Sequence, residues 1–259
     1  MRDLEALTAD EARGLSGLLF DLDDTLLDHG QLTRRAYDAL CRLAESDLLL
    51  LAVTGRPASW GELVAGMWPI HAALSENGHL AHARSGGRVQ RFDGVPADVR
   101  ATRRAALLEL SERLMSEFDE LVPADDVRGR VSDFTFDIGE FRTVDPDVVA
   151  RARRRAESSG AFTTLSSVHF HITFDTHDKA SGSVAFLAQQ HGFDTTAARL
   201  RFAYVGDSEN DAACFAAFHT TIGVANLSGA PSVLPRYRCA QARGAGFDEL
   251  AARLLELRS

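Results

Sequence analysis

A doubly wound, mostly parallel α/β sheet interrupted by an inserted α+β module is the fold class this sequence predicts, on three observations. Short, continuously apolar runs recur and end in acidic or Thr-Gly corners, as strands buried on both faces do. Segments with helical spacing separate these runs. The middle third changes rhythm: its strands alternate apolar and polar residues, so only one face of each is covered.

In chain order, residues 17–22 form the first apolar run and residues 48–53 the second, which closes at Thr54 and Gly55. Between them Leu32, Ala36, Leu40 and Leu43 fall on one side of a helix over residues 31–45. Residues 57–67 read as a further helix and 71–74 as a strand before the turn Glu76, Asn77, Gly78. Residues 87–92 and 131–138 alternate like half-exposed antiparallel strands, and 162–165 with 168–174 should form a hairpin around Ser166 and Ser167. Two amphipathic helices accompany them. One aligns Leu107, Leu110, Leu114 and Phe118; the other spans 145–157 and carries Arg151, Arg153, Arg154 and Arg155 on a solvated face. The first alternation then returns as a helix over 180–190 stopped by Gly192, a strand over 202–205, a helix after Glu209 and a strand over 221–224. The expected division is a core of residues 1–80 and 177–259 with an inserted module of residues 81–176.

The chain of 259 residues is 45% hydrophobic and 25% charged, the balance of a folded globular protein. No apolar run approaches the roughly 20 residues that cross a bilayer. Asp3 and Glu5 stand where a secretory signal has its basic and apolar segments, so a cytoplasmic address with no membrane partner is expected. The net charge of −9 argues against a nucleic-acid partner. Cys41, Cys214 and Cys239 are scattered without ligand spacing, which suggests neither a disulfide framework nor a zinc site. Of the 28 basic residues, 27 are Arg and one is Lys179. A position that keeps a compact ammonium in so Arg-rich a chain is one where a planar fork does not serve.

Side chains alternate along a strand, so Asp21 and Asp23 should project into one space at the end of the first run, provided the chain stays extended. That end is the edge where open α/β sheets bind ligands. Two carboxylates there repel unless a cation lies between them or one keeps its proton, and an all-oxygen donor set suits Mg²⁺. A second acidic turn, Gly206, Asp207, Ser208, Glu209, Asn210, Asp211, follows the strand over 202–205 and reaches the same edge. Taken singly, either turn also fits a helix cap.

The run Phe20, Asp21, Leu22, Asp23, Asp24, Thr25, Leu26, then Thr54, Gly55, Arg56, then Lys179, then the second acidic turn, resembles the four ordered motifs of the haloacid dehalogenase superfamily of phosphohydrolases. The motifs frame nearly the whole chain. The resemblance implies Asp21 as nucleophile forming an aspartyl-phosphate, and Asp23 as general acid and base. It implies Thr54, Gly55 and Lys179 around the phosphoryl group, with Asp24 turned away to brace the loop. Mg²⁺ would lie on Asp21, the main-chain carbonyl of Asp23 and Asp207, with Asp211 beside it directly or through water. The insertion between the second and third motifs is similar to the C2-type cap of Cof-type sugar phosphatases and of sucrose-phosphate and mannosyl-3-phosphoglycerate phosphatases. In those families the positions of Asn77 and Asn210 contact substrate, although an Asn-Gly turn is also a common tight turn.

Other polar groups carry weaker signals. Arg128 and Arg130 could grip an anionic substrate group by bidentate bonds or could be solvated. His169 and His171 share a strand face, read as lining the cap side of the cleft rather than as a zinc pair. The expected activity is Mg²⁺-dependent hydrolysis of a small phosphorylated metabolite, a sugar phosphate first, by a monomer or homodimer. Two alternatives are a phosphomutase, which returns the phosphoryl group to a second hydroxyl, and a receiver-type switch, which is shorter and uncapped. The cap helix with Leu107 is expected to pack on its own sheet rather than on a second subunit.

Overall fold

The computed structural model describes residues 1–166, 168–227, 229 and 231–259. Two sheets organise them. The larger has nine strands, in the order Arg2–Asp3, Tyr237–Arg238, Thr220–Gly223, Phe202–Gly206, Gly17–Phe20, Leu49–Val53, Ala72–Ser75, Leu80–Ser85, Arg88–Asp93. The first seven are parallel and the last two antiparallel.

Burial on both faces explains why the central strands are apolar at every position. In Gly17–Phe20, Leu18 and Phe20 face the helices Arg34–Ala44, Ala58–Met67 and Arg243–Arg258, while Leu19 faces Lys179–His191 and Ala212–Ala217. Each such side chain stabilises the fold by about 1.5–3 kcal/mol through removal from water. Gly17 is required at the start of this strand, where a Cβ would lie 2.4 Å from the Phe202 ring.

The smaller sheet is antiparallel throughout, in the order Val122–Pro123, Asp133–Asp137, His169–Thr173, Phe162–Leu165. The expected hairpin of the last two forms; Ser167 lies outside the described residues. Leu107, Leu110 and Leu114 of the helix Ala97–Glu117 pack on Phe134, Phe136, Phe170 and Ile172, so this helix covers its own sheet.

One expectation is corrected. Residues 87–92 were to open the inserted module, with its boundary at 80/81, yet Leu80–Ser85 and Arg88–Asp93 extend the large sheet from Ala72–Ser75. An edge hairpin exposes one face and alternates like a cap strand, so the pattern does not reveal which sheet it joins. Among the described residues, no helix is long and apolar enough to cross a membrane.

Candidate active site

Three neighbouring parallel strands, Phe202–Gly206, Gly17–Phe20 and Leu49–Val53, end side by side. Asp207, Asp21 and Thr54 are the residues that follow them. Convergence of these side chains is therefore a consequence of strand order and register.

Asp21, Asp207 and Asp211 are buried, and one oxygen from each lies within 4.8 Å of the others. Lys179, 2% exposed, donates to Asp21 Oδ1 and to Asp211 Oδ1, both at 2.8 Å. It opens the helix Lys179–His191, whose cap is Asp178, accepting from the Ser181 amide at 2.7 Å. Gly182 lets that helix approach: a Cβ there would lie 2.2 Å from the Gly78 carbonyl oxygen. Gly206 does the same for Asp211, because a Cβ would fall 2.4 Å from its carboxylate.

The three carboxylates are bound differently. Asp211 is saturated: Oδ1 also accepts from Tyr204 Oη at 2.5 Å, and Oδ2 accepts from the amides of Asp207 and Ser208 at 2.9 and 3.1 Å. Asp207 accepts from Thr25 Oγ1 at 3.4 Å and Asn226 Nδ2 at 3.2 Å, weak bonds that leave its lone pairs largely free. Asp21 Oδ2 has no protein partner among the described residues, since Lys179 takes Oδ1 alone.

Electrostatics follow from this crowding. Burial, then the charges of Asp211, Asp207 and Asp23, push Asp21 well above the usual carboxylate range against the pull of Lys179. Burial and Asp211 push Asp207 up to about 7. Burial alone would lower Lys179, but Asp21 and Asp211 hold it above its ordinary value, so it stays an ammonium. One ammonium among three carboxylates leaves surplus negative charge. Hard, close-set oxygen donors with that surplus fit a divalent cation such as Mg²⁺, with Asp21 and Asp207 as the donors that have capacity.

Asp23 does not join this cluster through its side chain. The chain leaves the strand in the turn Leu22–Leu26, so extended geometry does not persist. The Asp23 carboxylate instead takes a fork from Arg56, with Nε to Oδ2 at 2.9 Å and Nη2 to Oδ1 at 2.6 Å. Arg56 is fixed in turn over the Trp60 ring, 3.9 Å from its centroid. Asp24 adopts φ 53° and turns away as expected, accepting from Arg243 Nε at 2.8 Å.

Thr54 is buried, its hydroxyl oxygen accepting from the Arg56 amide at 3.1 Å. Asn210 Nδ2 donates to Asn77 Oδ1 at 3.2 Å, and both lie against Gly55. Neither Arg128 nor Arg130 lines the cavity beside Lys179. Arg128 is exposed, while Arg130 is buried in bonds to Asp126, Asp133 and the Gly55 carbonyl. His169 bonds Glu140, and His171 bonds Thr135 and Asp133; of the two, His171 lines the cavity, as do His79 and His177.

Arg56, Tyr204 and Asn226 have site contacts that the sequence reading did not assign. Asn226 had a legible signal, since it follows the parallel strand Thr220–Gly223 at the same sheet edge.

No family model and no curated protein matches the chain. Solved structures do, and they show the fold: the chain shares its α/β architecture, with a separate antiparallel sheet, with structures that include haloacid dehalogenase superfamily phosphatases. A Thermoplasma acidophilum protein is 17% identical with a TM-score of 0.77, covering 94% of this chain and 99% of its own. A superfamily phosphatase from Bacteroides thetaiotaomicron is 18% identical with a TM-score of 0.66, covering 94% and 95%. The sucrose-phosphatase of Synechocystis, solved with sucrose and phosphate, is 18% identical with a TM-score of 0.64, covering 93% and 98%.

Proposed function

We propose that this chain is a Mg²⁺-dependent phosphatase that hydrolyses a small phosphorylated metabolite, a sugar phosphate, through a phosphorylated Asp21. The observation that carries this reading is the buried Asp21 at the end of the central strand, clustered with Asp207 and Asp211, with one oxygen held by Lys179 and the other without a protein partner among the described residues. Two observations bear on the substrate: a cavity lined by Asn, Thr, His and Asp side chains meets Lys179, and the sucrose-phosphatase of similar fold was solved with sucrose and phosphate.

In the first step an Asp21 oxygen attacks phosphorus, the bond to the ester oxygen breaks, and that oxygen leaves with the electron pair and a proton from Asp23. In the second a water attacks the same phosphorus, Asp23 takes its proton, and Asp21 is restored as inorganic phosphate departs. Lys179 fixes the Asp21 carboxylate and balances charge near the transferred group. Thr54, Gly55, Asn77 and Asn210 line the approach to it. Arg56 orients Asp23. A cation held by Asp21, Asp207 and the Asp23 carbonyl would neutralise phosphoryl oxygens and keep the transfer in line. Asp211, with both oxygens already bound to protein donors, acts by positioning Lys179 and the 207–208 amides rather than as a direct ligand.

Phosphate release from p-nitrophenyl phosphate and from sugar phosphates, with Mg²⁺ and with EDTA, tests the reading. Metal-dependent release is expected, lost in Asp21→Asn and slowed about 10²–10⁴-fold in Asp23→Asn. Failure of every ester to release phosphate would sink the proposal, and label retained on the sugar would make the chain a mutase.

A further inference from the structure

A cavity of about 230 Å³ separates the site from the small sheet, with Lys179, Asn77 and Asn210 on one side and His171, Thr164 and Asp133 on the other. The cations on or beside it are committed. Lys179 is bound by Asp21 and Asp211, and Arg130 by Asp126 and Asp133. Arg100 and Arg103 pair with Asp175, and Arg100 also with Asp93. Among the described residues no arginine lines the cavity, whereas the carboxylates Asp133, Asp175 and Asp178 do.

His171 sets the chemistry of the cap wall. Its Nδ1 lies 3.2 Å from Asp133 Oδ2 and 2.9 Å from Thr135 Oγ1, and its Nε2 has no protein partner among the described residues. A ring that gives its Nδ1 proton to a carboxylate presents a lone pair at Nε2. Burial opposes a second proton on this ring, which keeps it neutral despite Asp133.

We propose that this cavity admits an uncharged, hydroxyl-bearing leaving group, with His171 Nε2 accepting from a hydroxyl, and discriminates against a leaving group that carries its own carboxylate or second phosphate. The inference rests on the phosphatase reading and adds the charge of the substrate class to it. A hydroxyl donates to Nε2 and meets the threonine hydroxyls and asparagine amides as partners. A second anion would be stripped of water beside the carboxylates Asp133, Asp175 and Asp178, while the ammonium and guanidinium groups around the cavity are already paired.

The experiment compares glycerol 3-phosphate with 3-phosphoglycerate, which differ by a hydroxymethyl against a carboxylate, alongside p-nitrophenyl phosphate, all with saturating Mg²⁺. The neutral ester is expected to show a kcat/KM about tenfold or more above the acid. In Thr164→Lys the ratio should shift toward 3-phosphoglycerate by about fivefold or more, since a cation then reaches the wall. In His171→Phe kcat/KM for glycerol 3-phosphate should fall about tenfold relative to p-nitrophenyl phosphate, and His171→Gln, which keeps an acceptor, should recover part. Turnover of p-nitrophenyl phosphate with 3-phosphoglycerate equal to or better than glycerol 3-phosphate overturns the inference alone. No turnover of any ester overturns the phosphatase reading and takes the inference with it.

Discussion

Asp23 is proposed to give and take a proton, and its geometry is governed by a single neighbour. The Arg56 fork reaches both of its oxygens and is pre-set by the Trp60 ring, so Asp23 loses little side-chain freedom on catalysis that it has not already lost. Lysine at position 56 would keep the charge and lose the fork. In Arg56→Lys, kcat for alkyl phosphates should fall about tenfold, and for p-nitrophenyl phosphate by a smaller factor, because nitrophenolate leaves with little need of a proton. Steady-state kinetics on the two ester types checks this; an equal fall for both would reduce Arg56 to a structural residue. Arg56 stood in the sequence beside Thr54 and Gly55, yet its partner is 33 positions away and no local pattern pairs them. Lys179 was legible for the opposite reason, since a lone lysine among arginines marks itself. Arg130 has its partners Asp126 and Asp133 four and three positions away, a spacing at which an internal ion pair is legible in the sequence.

At the scale of elements, the turn Glu76–Gly78 joins three parts of the molecule. Its residues have φ of 49°, 58° and 90°, a left-handed run that two non-glycine residues adopt at a cost. The Glu76 carboxylate holds it. Oε1 accepts from the amides of Ala58 and Val131, and Oε2 from the amides of Ser132 and Asp133 and from Ser132 Oγ. These donors tie the large sheet to the loop that feeds the cap strand Asp133–Asp137, while the Lys179 helix rests on Gly78. Glu76→Gln would replace one accepting oxygen by an NH₂ facing amide hydrogens. It should destabilise the chain by about 1–3 kcal/mol, read as a lower urea midpoint at unchanged m-value. The sequence pointed to this turn through Asn77 and Gly78 and was silent on Glu76, whose cap partners lie 55 to 57 residues further on. Strands buried on both faces, by contrast, were legible because every position is apolar.

Across the whole molecule, surplus negative charge at one locus couples cation binding to pH. Asp207, pushed up to about 7, is protonated at pH 5 in the cation-free fold and must lose that proton before it serves as a donor. Unfolded Asp207 has already lost it above the ordinary value of 3.8, so between about 4 and 7 the cation-free fold binds the extra proton and its stability falls as pH rises. His71, His82 and His171, each lowered by burial, act in the opposite sense: their unfolded forms take protons below 6.5 and the folded forms resist. The raw pH dependence therefore mixes two signs. The difference between Mg²⁺-saturated and EDTA-treated protein does not, because the histidines contribute equally to both. That difference should be small at pH 5 and grow by about 1.4 kcal/mol per pH unit as Asp207 loses its proton, with Asp21, also held well above the usual carboxylate range, adding to the rise as it gives up its own proton to the cation. Urea midpoints at pH 5, 6, 7 and 8, with and without the cation, measure it. A Mg²⁺ increment that is flat, or largest at pH 5, would show that the cation does not displace a proton from Asp207, and the carboxylates at the ends of the two neighbouring strands would then not be its seat.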